Sequence, residues 1–211
     1  MEYRYLEEPL ASYIERLSAR TPCPGGGSAA ILSLSCACAL VLMVCNFTME
    51  SKKVSQESRQ MAKNIFDQAS KLQPFLNKSI EQDSVLYEKI QQTMRISRHN
   101  PEMADEYQKA LKESADLHVK ILDCCQELLK LNEILSEHCN PYLISDVGVS
   151  VALIEGSIKA TKISILINLK EIKDSGYVSS VESKIEQLYL PLLAMAQDVM
   201  KKVVTKIEEE K

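Results

Sequence analysis

The sequence predicts an all-α protein, a single-domain helical bundle with a buried small-residue central helix. Apolar residues recur at spacings of three, four or seven along most of the chain, which is typical of helices that pack through one face. Aromatic residues make up only 5% of the chain, and six glycines and seven prolines are too few for a sandwich of short turn-linked strands. The 211 residues fit one compact domain, which we place over residues 1–211.

The charge balance is mildly acidic, with 25 basic and 29 acidic residues and a net charge of -4. Nucleic-acid-binding domains usually carry a basic surface, so the sequence argues against that class of function. The seven cysteines are an odd number with no secretory signal before them, which favours reduced thiols in a cytoplasmic protein. The three histidines and the cysteines lack the spacing of a zinc site, and we expect no bound metal.

Breaks in the periodic pattern divide the chain into six predicted helices. They cover residues 5–17, 28–49, 52–94, 103–138 and 146–170, and a last long helix has its apolar residues between 181 and 199. The dipeptides Asn100–Pro101 and Asn140–Pro141 end two of them, because the residue before a proline disfavours the α conformation. Asp174, Ser175 and Gly176 end the fifth helix, and Pro191 is expected to kink the sixth.

The second predicted helix lies in a stretch without any charged residue, from Thr21 to Met49. Its residues 28–49 are numerous enough to span a bilayer. Serines, Asn46 and Thr48 dilute its apolar character, however, and the aromatic residues expected at both membrane interfaces are missing. From the residues alone, a helix buried in a bundle and a membrane span are both open.

A glycine-rich turn directly precedes this helix, at residues 22–28, Pro-Cys-Pro-Gly-Gly-Gly-Ser. Glycines allow a ligand to approach the backbone, and free N–H groups at a helix start favour an anion. The alternative is a tight entry turn with Ser28 as the helix cap. The residues concerned are Gly25, Gly26, Gly27 and Ser28.

Asp83 interrupts an apolar stripe on the third predicted helix, which it shares with Leu76, Ile80, Tyr87 and Ile90. Because burial penalises a charged carboxylate, Asp83 must be paired or hydrogen-bonded, or else hold its proton. Such a group is a candidate for general acid or base catalysis. The alternative is a structural carboxylate satisfied by a cap or an ion pair.

The fifth predicted helix carries polar residues on an otherwise apolar sequence. Ser145 and Asp146 stand at its start, where a capping carboxylate is the simplest interpretation. Small polar residues then fall on one face, at Ser150, Ser157, Thr161, Ser164 and Asn168. Such a line either bonds to neighbouring helices or lines a pocket, and both alternatives are open.

Four of these segments together resemble the cyclodeaminase/cyclohydrolase family of folate enzymes. They are TPCPGGGSAA (21–30), EQDSVLY (81–87), ISDVGVSVAL (144–153) and ILINLKEIKD (165–174), and the resemblance spans roughly residues 6–204. The resemblance implies an all-helical protein that forms homodimers or larger assemblies, with residues 28–49 in a buried helix and no membrane association. It also implies a tetrahydrofolate derivative as substrate, with no cofactor.

The activity implied is a formimidoyltetrahydrofolate cyclodeaminase, which forms 5,10-methenyltetrahydrofolate and ammonia. The alternatives are a methenyltetrahydrofolate cyclohydrolase and a non-catalytic folate-binding or scaffold relative. Asp83 matches the aspartate of the family's D-x-x-x-[FY] stretch and is the implied acid/base. The implied substrate-binding residues are Gly25, Gly26, Gly27, Ser28, Ser145, Asp146 and Asn168.

Three positions depart from the family pattern. Ser164 stands where relatives often carry asparagine, and His118 stands where a proline is expected. A Leu-Pro-Lys stretch is replaced by residues 94–97, Met-Arg-Ile-Ser, so Arg95 or Arg98 would have to replace the lysine toward an anionic folate tail. These departures leave room for an inactive relative.

Overall fold

A computed structural model describes residues 3–209, and the secondary structure in that range is helical without strands. The all-α prediction is therefore confirmed. The helices are α1 (Leu10–Ser18), α2 (Gly26–Glu50), α3 (Gln56–Ser97), α4 (Ala104–His138), α5 (Ile144–Leu169) and α6 (Ser175–Glu209). Short 3-10 turns at Pro101–Met103 and Pro141–Leu143 precede α4 and α5, where the two Asn-Pro dipeptides predicted breaks.

Helix α2 lies in the interior, against α3 and α5 and, over a smaller area, α4. By length and composition α2 could cross a membrane, yet 56% of its most apolar stretch is buried inside the protein. Its inner side chains, such as Ile31, Leu34 and Val41, pack into the main core. The bundle interior therefore explains the apolar character of α2, as the buried-helix interpretation requires.

Small residues let α5 approach the backbone of α2. Ser157 Oγ donates to the carbonyl oxygen of Ala30, and Ser150 Oγ donates to that of Ala37, both over 3.1 Å. The polar residues on this face of α5 therefore fall into two groups. Ser150 and Ser157 bond to the neighbouring helix α2, whereas Ser164 and Asn168, in the last two turns, form part of a cavity wall. Each of the two alternatives holds for part of the line.

Helix α3 begins at Gln56, four residues after its predicted start at residue 52. The Ser55 side chain accepts a hydrogen bond from the Ser58 N–H and so caps the helix there. Helix α5 begins at Ile144, two residues before its predicted start.

The starts of α1 and α2 differ from the predicted ones as well. Helix α1 begins at Leu10 rather than at residue 5, because Pro9 disfavours the α conformation for the residue before it. Helix α2 begins at Gly26 with Gly25 at its cap position, two residues before the predicted start. Ser28 therefore lies inside the helix, and the interpretation of Ser28 as its cap is wrong.

The cysteines are packed, with the exception of the exposed Cys36. Burial raises the pKa of Cys38, Cys45 and Cys124 to about 12, so these thiols keep their protons at neutral pH.

A second, smaller core joins α3, α4, α5 and α6 at one end of the bundle, around Ile90, Leu111 and Ile165. Ile90 and Leu111 also form part of the wall of the cavity described next.

Candidate functional site

A cavity of about 610 Å³ opens between the glycine turn, the second half of α3, the first half of α4 and the end of α5. Ligand pockets in proteins commonly have volumes of this order. Its polar and charged lining comes from Asp83, Tyr87, Gln91 and Arg98 of α3, Tyr107, Ser114 and His118 of α4, and Ser164, Asn168 and Glu171 at and after the end of α5. Gly25, Gly26 and Gly27 complete the wall.

Asp83 lies in this cavity, opposite His118. The distance from Asp83 Oδ1 to His118 Nε2 is 3.3 Å, within the range of an ion pair. The Asp83 side chain is 13% exposed and that of His118 only 2%, so the carboxylate is the more accessible of the two. The apolar face of α3, which predicted a buried carboxylate at position 83, therefore faces the cavity at this position.

His118 is the site residue that the sequence argument did not select. It falls seven residues after Leu111 and three before Ile121, on the buried face of α4. Its Nδ1 lies 2.9 Å from the carbonyl oxygen of Ser114. A histidine within the apolar stripe of a helix is the signal that could have indicated a paired or functional imidazole.

Of the three glycines, Gly27 is the one that the pair requires. A Cβ atom at this position would lie 2.8 Å from Asp83 Cγ and 2.8 Å from His118 Nε2, closer than real contacts allow. A Cβ at Gly25 or Gly26 would meet nothing within 4 Å. Gly27 therefore permits α2 to approach the pair, while Gly25 and Gly26 leave the backbone at the start of α2 open to a ligand.

Ser28 is behind the cavity wall rather than in it. Its side chain is fully buried, and its hydroxyl lies 3.1 Å from that of Tyr13 on α1. Burial raises the pKa of Tyr13, which keeps the phenol neutral beside the cavity. Ser28 therefore anchors α1 against α2 and contacts the cavity only through its neighbour Gly27.

Asn168 joins α5 to α4 in the cavity wall. Its Nδ2 donates to Ser114 Oγ over 3.2 Å and to the carbonyl oxygen of Ser164 over 2.8 Å. Both bonds fix the orientation of the amide, so that its position does not depend on a ligand. The structure thus brings Asn168 to the same cavity as Asp83 and the glycines.

Ser145 and Asp146 lie at the other end of α5. Asp146 precedes Asn168 by 22 residues in this helix, which at its rise per residue corresponds to about 33 Å. Within one chain, the structure does not bring this pair to the cavity. Helix α5 already begins at Ile144, with Leu143 at the cap position, so the interpretation of Asp146 as its capping residue is wrong. Asp146 lies in the first turn instead, where a carboxylate stabilises the helix dipole.

Of the two arginines considered for an anionic tail, Arg98 lines the cavity. Arg98 is exposed directly after α3, and the exposed Glu171, after the end of α5, lines the same cavity. Arg95 belongs to a neighbouring depression with Glu88 and Gln92. Among residues 3–209, no group of three or more His, Cys, Asp and Glu side chains is arranged to hold a metal ion.

Comparisons with known proteins agree on one family. The model of a family described as Formiminotransferase-cyclodeaminase matches residues 9–187. A methenyltetrahydrofolate cyclohydrolase of Methylorubrum extorquens is 26% identical over 204 residues, which cover 95% of this chain and 98% of the relative. The formimidoyltransferase-cyclodeaminase of Gallus gallus is 22% identical over 86% of this chain, which corresponds to 34% of that longer enzyme.

The fold agrees with a solved structure as well. The crystal structure of formiminotetrahydrofolate cyclodeaminase from Thermotoga maritima matches with a TM-score of 0.84 and 25% identity, over 98% of both chains. The family model covers most of the sequence, and the resemblance that its motifs predicted is confirmed. This chain belongs to the formiminotransferase-cyclodeaminase family, whose named relatives are folate one-carbon enzymes.

Proposed function

We propose that this chain is a formimidoyltetrahydrofolate cyclodeaminase, which forms 5,10-methenyltetrahydrofolate and ammonia with Asp83 as the proton carrier. The observation that carries the proposal is the Asp83 carboxylate, 3.3 Å from a buried imidazole in a cavity of about 610 Å³. The volume suits a ligand with a pterin ring and an aryl side arm. The Thermotoga maritima relative named for this reaction shares the fold over nearly its whole length.

The reaction requires one proton to move between two nitrogens of the substrate. N10 of the protonated 5-formimino compound attacks the formimino carbon, and the N10–carbon bond forms. Asp83 takes the proton that N10 loses and gives it to the amino nitrogen of the tetrahedral intermediate. The bond from carbon to that nitrogen breaks, ammonia leaves, and N5 and N10 share the positive charge of the methenyl product.

This scheme balances with folate as a substrate and with side chains alone as catalysts. Gln91, Ser164 and Asn168 offer uncharged hydrogen-bonding groups in the wall for the pterin or the reacting amidine. Gly25 and Gly26 leave the start of α2 accessible to the substrate. Arg98 at the opening supplies a positive charge for the carboxylates of the glutamate tail.

Methenyltetrahydrofolate cyclohydrolase is the second candidate activity. The Methylorubrum extorquens relative of that name matches this chain over 98% of its own length, which supports this candidate. The same carboxylate would accept a proton from water as it adds to the methenyl carbon, and would return it to N5 as the N5–carbon bond breaks. The second proton of the water would be released to solvent as the formyl C=O forms. The two reactions differ in whether ammonia or water is exchanged at one carbon.

Absorbance at the methenyltetrahydrofolate band distinguishes these candidates. With 5-formiminotetrahydrofolate, the cyclodeaminase makes the band appear and releases ammonia in equal amount. With added methenyl compound, the cyclohydrolase speeds its loss. We expect Asp83→Asn to lower kcat by a factor of about 10³ while the protein stays folded. If the folded wild-type protein is inactive in both assays, the chain is a non-catalytic relative.

A homodimer would cover the outer surface of α2 and α5. Both helices carry small or apolar side chains that are exposed in the single chain: Cys36, Ala39 and Phe47 on α2, and Val149, Ala152, Gly156, Ile163 and Ile167 on α5. Burying such a surface against its copy removes apolar area from water. We therefore include a homodimer or larger homo-oligomer in the cytoplasm in the proposal, and its test is given in the Discussion.

A further inference from the structure

The contact between His118 and Asp83 places two hydrogen-bond acceptors against each other. A backbone carbonyl only accepts, so the 2.9 Å contact with the Ser114 carbonyl requires a proton on His118 Nδ1. In the neutral imidazole, Nε2 is then a lone pair that faces Asp83 Oδ1 at 3.3 Å. A lone pair and an ionised carboxylate repel each other, so this arrangement is favourable only with one further proton between them.

The described surroundings offer the His118 Nε2 atom no alternative hydrogen-bond partner. His118 Nε2 is fully buried and has no hydrogen-bond partner within residues 3–209 apart from this ion-pair contact. Because Gly27 has no side chain, no Cβ atom lies against the two groups and forces them apart. Such a contact is often long without substrate and shortens once the substrate is bound.

We propose that His118 is a positioning residue that shares a single proton with Asp83 and keeps the carboxylate able both to accept and to donate. This inference rests on the proposed function and names a role for the imidazole at position 118. The proton lies on either Oδ1 or Nε2, and the pair is neutral overall in both cases. Asp83 can therefore take a proton from N10 while Nε2 holds the shared one, and can then release it to the leaving nitrogen.

Other titratable groups around the pair do not supply this proton. Those that face it are Tyr13 of α1, Cys23 of the glycine turn, Tyr87 and Arg98 of α3, Tyr107 of α4 and Glu171 after α5. Helices α2 and α5 present the uncharged Gly27 and Asn168. Burial raises the pKa of Tyr13, Cys23 and Tyr107, and these groups stay neutral near pH 7. Arg98 and Glu171 are exposed at the opening.

The kinetic test replaces the imidazole by an amide that cannot titrate. We expect His118→Asn to lower kcat by a factor of about 10², with KM changed less than twofold, because the effect is on proton transfer. The pH profile of kcat should lose one of the ionisations that wild type shows. Asp83→Asn combined with His118→Asn should be no slower than Asp83→Asn alone, since both act through one proton.

His138→Asn is the matched control, because His138 lies on the same helix, about 30 Å from His118 by helical rise, and outside the cavity. It should leave kcat and the pH profile unchanged. If His118→Asn keeps the wild-type kcat and every ionisation, the proposal is overturned. His118→Gln serves as the second variant should the asparagine variant not fold, as judged by circular dichroism.

Nitrogen-15 NMR of the histidine side chains tests the shared proton without any activity. In wild type, the shift of His118 Nε2 should lie between that of a protonated nitrogen and that of a lone-pair nitrogen, and in Asp83→Asn it should be that of a lone-pair nitrogen. The shifts of His99, which is exposed and lies outside the cavity, should be the same in both proteins. The same lone-pair shift for His118 Nε2 in both proteins overturns the pair. Wild type inactive toward every folate, yet with the intermediate shift, overturns the proposed function and leaves the proton pair standing.

Discussion

Asn168 and Ser114 are joined by a hydrogen bond of 3.2 Å between the amide of one and the hydroxyl of the other. The carbonyl of the same Ser114 accepts the Nδ1 proton of His118. One serine on α4 therefore connects the end of α5 to the imidazole that faces Asp83. The orientation of the proton-transfer pair depends in this way on how α5 packs against α4.

Gly27→Ala should lower the activity of the enzyme. The new Cβ would lie 2.8 Å from both Asp83 Cγ and His118 Nε2 and would push the two groups apart. We expect kcat to fall at least tenfold, because small displacements of reacting groups are costly. Gly176→Ala is the control, since Gly176 lies outside the cavity and its Cβ would meet only Asp174 Oδ1, at an ordinary contact distance of 3.4 Å. Equal activity of the two variants, measured by methenyl absorbance, would contradict the assigned role of Gly27.

Arg98→Ala should weaken binding of folates with several glutamates. An exposed ion pair contributes up to about 1 kcal/mol, so we expect KM to rise two- to fivefold with kcat unchanged. The effect should decrease at high salt, which screens the charges. Arg95→Ala, which removes a charge outside the cavity, should leave KM as in wild type. Identical KM values for both variants would remove Arg98 from the binding site.

Gly156→Glu should separate the proposed dimer. Gly156 is exposed on α5 with free space beyond its Cα, so a glutamate fits the single chain and places a charge on the apolar face. Light scattering after gel filtration should give the mass of one chain, against a multiple of it for wild type. Ile134→Glu changes an exposed apolar residue on α4 instead and should leave the mass unchanged. A monomeric wild type would disprove the dimer directly.

Ionisation of Cys38 should destabilise the protein at high pH. Burial raises its pKa from 9.0 to about 12, so its contribution to stability is complete below pH 9 and is lost as the pH rises toward 12. Between pH 8 and 10.5, wild type should lose about 1–2 kcal/mol of unfolding free energy more than Cys38→Ala. Urea denaturation at both pH values measures this difference, with Cys36→Ala as the exposed control.

The helices were predictable because each carries its own periodic pattern and its own Pro or Gly break. The starts of α1, α2 and α3 differ from the predicted ones by a few residues, because Pro9, Gly25 and Ser55 at the cap positions determine where each helix begins. Whether α2 is buried or spans a membrane was not decidable from its own residues. That depends on α3 and α5, which supply the apolar surfaces around it.

A site residue could be predicted where the pattern of its own segment was enough to single it out. Asp83 stood out because it interrupts an apolar stripe, and the glycine turn because of its composition. The contact between Asp83 and His118 depends on the register of α3 against α4, which a single sequence does not specify. Ser145 and Asp146 were predicted to lie at the site, and the structure places them elsewhere. They belong to the same helix as Asn168, but the length of α5 separates its two ends by about 33 Å.

The burial of α2 between α3 and α5 has a consequence for biosynthesis. On the ribosome, α2 is complete at Glu50, whereas α5, which covers it, is complete only at Leu169. At a rate of synthesis of about 5–20 residues per second, roughly 6 to 24 s pass between the completion of α2 and that of α5. During that interval the nascent chain exposes a segment that is long and apolar enough to cross a membrane, and α3, complete at Ser97, is the first large helix that can cover part of it.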